Sequence, residues 1–122
     1  MTYFPFFTRT QKPDLAIDLG TANMRMVIQG IGCVFDEPSL CCFEDIGGRP
    51  RFIAAGTAVQ AMVDRAPKNL RVRRPLARGV LQDIEATSEL LKHGLTSISG
   101  RVRRYGSRVL IGLPADATKA EA

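Results

Sequence analysis

The chain has 122 residues, with 17 Lys and Arg against 12 Asp and Glu and a formal charge of +5. That length suits one ordinary domain and excludes most multi-domain enzymes. With 45% hydrophobic and 24% charged residues, the composition is that of a chain with a core, not of a disordered tail.

No apolar run approaches the roughly 18–20 residues that spanning a bilayer requires. The opening Met1–Phe7 has no basic flank before its apolar residues and no small-residue cleavage pattern after them, so no secretory signal is expected. The cysteines are Cys33, Cys41 and Cys42. Their odd number argues against a disulfide framework, and no Cys-x-x-Cys spacing suggests zinc. Cys41 and Cys42 would face opposite sides of a strand, and reduced, partly buried thiols in a cytoplasmic protein are expected.

In chain order, Asp14 to Gly20 places Leu15, Ile17 and Leu19 on one face, which predicts a buried strand closed by glycine. Asn23 to Gln29 alternates Met24, Met26 and Ile28 with Arg25 and Val27, a second strand. A Gly30-Ile31-Gly32 turn leads to a third, Cys33 to Phe43, bent at Pro38, and together the three predict a meander. Asp45-Ile46-Gly47-Gly48 reads as a turn, Arg51 to Ala55 as a short strand, and Thr57 to Arg65 as a short helix with Val59, Met62 and Val63 on one side.

Leu70 to Pro75 is extended and basic, and Leu76 to Leu81 reads as a loop. A helix is predicted over about Ile84 to Ile98, capped by Asp83, with the stripe Ile84, Thr87, Leu91, Leu95 and Ile98; Gly94 predicts a weak point near His93. His93 has no partner at ligand spacing except Glu89 and reads as structural. Val109 to Pro114 reads as another buried strand. Ala115 to Ala122 starts a helix with room for about one turn, which does not repay nucleation. The order is mixed α/β, and the chain reads as incomplete.

Asp18-Leu19-Gly20-Thr21-Ala22-Asn23 lies between the first two strands. Read from spacing alone, it is either a plain hairpin turn, with Asp and Asn serving its geometry, or an anion-binding bend. In the second reading Gly20 allows close backbone approach, successive amides from Thr21 to Met24 form a nest, and Thr21 and Asn23 reach phosphate oxygens. Asp18 would hold Mg²⁺ through waters.

Asp14 to Asn23 resembles the first phosphate loop of the actin-like ATPases, with wording closest to the MreB family. Further blocks resemble that family in order: Asp36-Glu37-Pro38-Ser39, Ala55-Gly56 with the helix after it, Arg74 to Val80, the Asp83 helix, and Val109 to Glu121. The resemblance covers residues 14 to 122.

It implies an actin-like (ribonuclease H-like) amino-terminal subdomain over 14–122, with a small αβ insertion at about 50–80 and a chain truncated before the second half. It also implies binding of ATP and Mg²⁺, with Asp18 as the Mg²⁺-associated aspartate and Gly20, Thr21, Ala22, Asn23 and Met24 on the phosphate loop. Glu121 falls on the glutamate that positions the attacking water, the catalytic role; read alone, it is a solvated residue on a frayed end.

Implied partners are other copies of the chain in filaments and the proteins of cell shape and wall synthesis, at the inner face of the cytoplasmic membrane. The localisation is then cytoplasmic and peripheral to the inner membrane. Met24 departs from the family's usual Thr, and Arg49-Pro50 follows Gly47-Gly48 where a second phosphate loop would have Gly-Thr. Family members are much longer, and their second half supplies the other phosphate loop and the adenine pocket, so little or no ATPase activity is expected of this chain alone.

Residues 1–13 hold Tyr3, Phe4, Phe6 and Phe7 ahead of Arg9 and Lys12. They read as an interfacial anchor, with Phe4, Phe6 and Phe7 as its membrane residues, as a disordered tail, or as aromatics packing on the domain. Ten of the 17 basic residues lie in Arg65 to Arg78 and Arg101 to Arg108, and neither window contains an acid. They suit anionic partners, but Tyr105 is their only aromatic, which disfavours stacking on nucleic acid, and none is expected as a partner. The competing reading is a non-catalytic remnant that binds membrane or caps filaments. A chaperone or sugar-kinase relative with the same loop is a third, and the Glu-Pro-Ser and Arg-Pro-Leu blocks favour the shape protein.

Overall fold

A computed structural model of the chain describes residues 14–63, 65, 68–98, 100 and 108–113. Its first sheet contains β1 (Leu15–Leu19), β2 (Asn23–Ile28), β3 (Gly32–Pro38) and β9 (Val109–Gly112), in the order β3-β2-β1-β9. The predicted meander is present: β1, β2 and β3 are successively antiparallel, while β9 runs parallel to β1. Period-two alternation sends Leu15, Ile17, Leu19, Met24, Met26 and Ile28 to one buried face, the centre of the core.

The predicted third strand is in fact two. β3 ends at Pro38, and β4 (Cys41–Ile46) belongs to a second sheet with β5 (Arg49–Ala55) and β6 (Leu70–Arg73), in the order β5-β4-β6. Pro38 has no N–H to continue a ladder, and the Leu40 amide closes a tight turn onto the Pro38 carbonyl at 2.9 Å. That turn swings the chain from one sheet into the other. Where a turn was expected, Gly47 and Gly48 form a two-residue hairpin connection between β4 and β5.

On β4 the adjacent cysteines do face opposite ways. Cys41 lies in the main core, and Cys42 packs with Leu40 and Val59 in a second cluster. Both are free thiols; the Cys41 thiol donates to the Ala86 carbonyl at 3.1 Å, and burial pushes it up to about 12.

α1 (Thr57–Gln60) is shorter than the predicted helix, and turns continue through residue 63. Leu76 to Leu81, expected to be a loop, is a hairpin of β7 (Leu76–Ala77) and β8 (Val80–Leu81) anchored by the fully buried Leu76.

α2 (Ile84–Ser97) begins as predicted, with Asp83 accepting from the Ala86 amide at 3.0 Å. Its buried face differs: Ala86, Thr87, Leu90 and Gly94 point inward, with Ile98 at the end, while Ile84 is 75% and Leu95 37% exposed. Gly94 is not a break. A Cβ there would lie 2.4 Å from the Met26 Cε and 2.9 Å from the Met24 Cε, so glycine lets the helix settle onto the two methionines of β2. This close approach offsets a propensity loss of about 1 kcal/mol. β9, expected to be buried, is an edge strand; Val109 is 53% and Ile111 55% exposed, because no described strand lies beyond it.

The second sheet is fastened to the start of α2 by Arg73. Its guanidinium meets Asp83 through Nε at 2.6 Å and Nη2 at 2.8 Å, reaches Glu85 at 2.9 Å, and lies 4.1 Å over the Phe43 ring. The Arg73 hydrogen bonds hold the Asp83 carboxyl below its ordinary value. A carboxyl depressed in the native state stabilises above its unfolded pKa, and the contribution is lost as pH falls through the native one. Stability is therefore expected to decline on acidification below about pH 4. Asp83→Asn, which keeps a capping side chain but not the charge, is expected to cost about 1–2 kcal/mol at neutral pH and to flatten the acid limb. Thermal melts of both proteins from pH 7 to pH 3 check this; equal acid slopes would contradict it.

Candidate functional site

The bend between β1 and β2 is built by its own backbone. The Gly20 amide donates to the Asn23 carbonyl at 3.0 Å, closing the turn. A Cβ at Gly20 would lie 2.8 Å from that same oxygen, so the turn admits only glycine without shifting. Ser39, wholly buried in the link between the two sheets, braces the bend twice: its hydroxyl donates to the Gly20 carbonyl at 2.7 Å and its amide to the Ala22 carbonyl at 2.9 Å. From the other side the tip of the β7–β8 hairpin touches it, the Gly79 amide donating to Thr21 Oγ1 at 2.9 Å.

The polarity of the bend follows. The carbonyls of Gly20, Ala22 and Asn23 are each satisfied by the chain itself. The amides of Thr21 and Ala22 find no acceptor among the described residues. Adjacent unused donors at the carboxyl end of a buried strand form a concavity suited to an anion.

The expected site residues separate by role. Asp18 is exposed on β1, in register with Arg25 of β2 and Gly112 of β9. Arg25 pairs instead with Asp36 at 3.4 Å, and Asp18 has no ion pair among the described residues. An exposed, uncommitted carboxylate beside the bend fits water-mediated Mg²⁺. Among the described residues no group of three His, Cys, Asp or Glu could hold a metal, so an ion here would depend on water and phosphate oxygens.

Thr21 uses its hydroxyl oxygen as an acceptor and keeps its proton to donate. The Asn23 carboxamide is turned to Asp36 Oδ1 at 2.9 Å. The Met24 side chain is buried against α2, leaving only its backbone to the bend. Glu121, Phe4, Phe6 and Phe7 lie outside the described residues.

Residue reasoning missed Ser39 and the hairpin tip as parts of this site. The Glu-Pro-Ser block was the available signal. Its glutamate, Glu37, has a separate structural role. It accepts from the Thr57 amide at 3.1 Å and meets His93 Nε2 at 2.9 Å, while the His93 ring stands edge-on to Phe35. His93 is thus held to β3 through Glu37 and Phe35. An open groove of about 300 Å³ lined by Phe52, Glu89, Lys92, His93, Thr96 and Ser97 shares no residue with the bend.

The sequence profile of the MreB/Mbl protein family matches residues 12–122. The cell shape-determining protein MreB of Escherichia coli strain K12 is 38% identical over 111 residues, 88% of this chain and 32% of the relative. The cell shape-determining protein Mbl of Bacillus subtilis is 36% identical over 108 residues. The chain therefore spans about a third of the length of the curated relatives it matches.

Among solved structures, MreB5 of Spiroplasma citri bound to ADP superposes with a TM-score of 0.67 at 33% identity, covering 90% of this chain and 33% of that one. A non-polymerising MamK mutant, at 24% identity and a TM-score of 0.53, shares the fold. Since the profile extends from the strand before the bend to the end of the sequence and the superposed backbone is actin-like, this chain belongs to the MreB/Mbl family of cell shape-determining proteins.

Proposed function

We propose that this chain forms one wall of the nucleotide cleft of an actin-like cell-shape ATPase. The carrying observation is the polarity of the Gly20–Asn23 bend, with its carbonyls occupied by the chain and its Thr21 and Ala22 amides left over. The amides would hold phosphate oxygens, the Thr21 proton would add a donor, and Asp18 would hold Mg²⁺ through waters. Mg²⁺, when bound, would neutralise charge on the phosphates. Glu121 would orient the attacking water. Spiroplasma citri MreB5, bound to ADP in one structure and AMPPNP in another, supports nucleotide as the ligand.

In this reading the chain acts within membrane-associated filaments that direct wall synthesis from the cytoplasmic side. Phe4, Phe6 and Phe7 are its membrane contact, and residues at about 50–80 are its small insertion. No described helix is long and apolar enough to cross a membrane.

With one wall present, binding is expected to be weak. Titration of Mg·ATP and Mg·ADP into the chain, followed by backbone-amide NMR, is expected to give millimolar affinity, order of magnitude, with the largest shifts at Thr21 and Ala22. Shifts absent from residues 18–24 would overturn the reading.

A further inference from the structure

We propose that Arg78 is a second determinant of this site: a cation on the tip of the β7–β8 hairpin that contacts the terminal phosphate of a nucleotide seated on the Gly20–Asn23 bend. The inference rests on reading that bend as a phosphate site.

Arg78 and Gly79 form the two-residue turn between Ala77 and Val80, with φ of 54° and 76°. Both positions require left-handed backbone, which glycine, asparagine and aspartate tolerate and which a long side chain adopts under strain. Arg78 is the sole non-glycine residue with positive φ among the described residues. Turn formation gives no reason for arginine there, and strained positions of this kind gather at ligand contacts.

Location supplies the reason. Gly79, one peptide bond away, is buried and donates to Thr21 Oγ1 at 2.9 Å, so the tip is seated on the bend itself while Arg78 stays exposed beside it. Arg25, Arg51 and Arg73 each face a carboxylate. Arg78 has neither an ion pair nor a side-chain hydrogen bond among the described residues. It is a permanent positive charge with five donors, one residue from the Gly79 amide that bonds Thr21. Guanidinium and phosphate match in charge and in paired hydrogen-bond geometry.

Amide NMR titrations of the full chain with Mg·ATP, Mg·ADP and inorganic phosphate test this in wild type, Arg78→Lys and Arg78→Asn. Asparagine keeps the left-handed turn without the charge. Arg78→Asn is expected to bind Mg·ATP about tenfold more weakly while melting no lower than wild type, and Arg78→Lys to retain most of the affinity. A purely structural role for Arg78 predicts no such separation of binding from stability.

Equal Mg·ATP affinity in wild type and Arg78→Asn, with Thr21 and Ala22 still shifting, would overturn the arginine contact and leave the bend's reading intact. No shift at Thr21 or Ala22 in any of the proteins would overturn both. Inorganic phosphate binding as tightly as Mg·ATP, with the same loss in Arg78→Asn, would assign the contact to a free anion and overturn the nucleotide assignment.

Discussion

Gly56→Val is expected to destabilise the chain by about 3 kcal/mol, a large share of the 5–15 kcal/mol typical of a domain. Gly56 sits at φ 73° and ψ −137°, a region closed to β-branched side chains. Its missing Cβ would overlap Glu37 Oε1 and lie 3.1 Å from Glu37 Cδ. Glu37 would have to leave, and with it the contacts to the Thr57 amide and to His93 that join β3, α1 and α2.

Part of the loss is therefore steric and part is backbone strain, and a double-mutant cycle separates them. Glu37→Ala in the Gly56→Val background is expected to cost less than Glu37→Ala alone, since the clash already expels that side chain. Urea unfolding of the four proteins is the measurement. Additive losses would show that the two residues are not coupled in this way.

Gly20→Ala is expected to damage the site more than the fold. The added Cβ would meet the Asn23 carbonyl at 2.8 Å, and that oxygen belongs to the backbone, so no side chain can swing aside. The bend must open, lengthening the Gly20 to Asn23 hydrogen bond and pulling the Gly20 carbonyl from Ser39. Weakening these bonds is expected to lower stability by about 1–2 kcal/mol. The amides of Thr21 and Ala22 would no longer converge, and the nucleotide affinity read from NMR shifts there should fall at least about tenfold, as for a lost charge-assisted contact. Unchanged titration curves for Gly20→Ala would show that the bend's shape does not govern binding.

Where chain-local chemistry dominates, the residues were readable. Leu15, Ile17 and Leu19 against Met24, Met26 and Ile28 announce two strands with a shared buried face, because period two is a property of each strand alone. Asp83 announces the start of α2, and Gly47-Gly48 a turn, for the same local reason.

Other features were hidden for identifiable causes. Cys33 to Phe43 is apolar enough to pass for one strand, and the change of sheet at Ser39 depends on a partner at Ala22, far earlier in the chain. The β7 and β8 strands have two residues each, too few to display any period.

In the candidate site, Asp18 and the Gly20–Asn23 segment were visible in the wording of the sequence, together with the family resemblance. Which of their groups are free is a different matter. Asn23 is drawn to Asp36, Met24 goes to the core, and the carbonyls are taken by Ser39 and by the turn itself. Apart from the turn's own hydrogen bond, each of these is set by a neighbour distant in sequence.

By itself the sequence determined the family, the opening strands with the bend between them, and the start of α2; these follow from residue order and backbone preference within a few positions. Only the tertiary structure decided which face of α2 is buried, that Gly94 is a seat for two methionines, that Ser39 and Gly79 brace the bend, and that Arg78 stands beside it. Those outcomes depend on packing and hydrogen bonding between segments far apart in the chain, whose free energy is defined only once the segments meet.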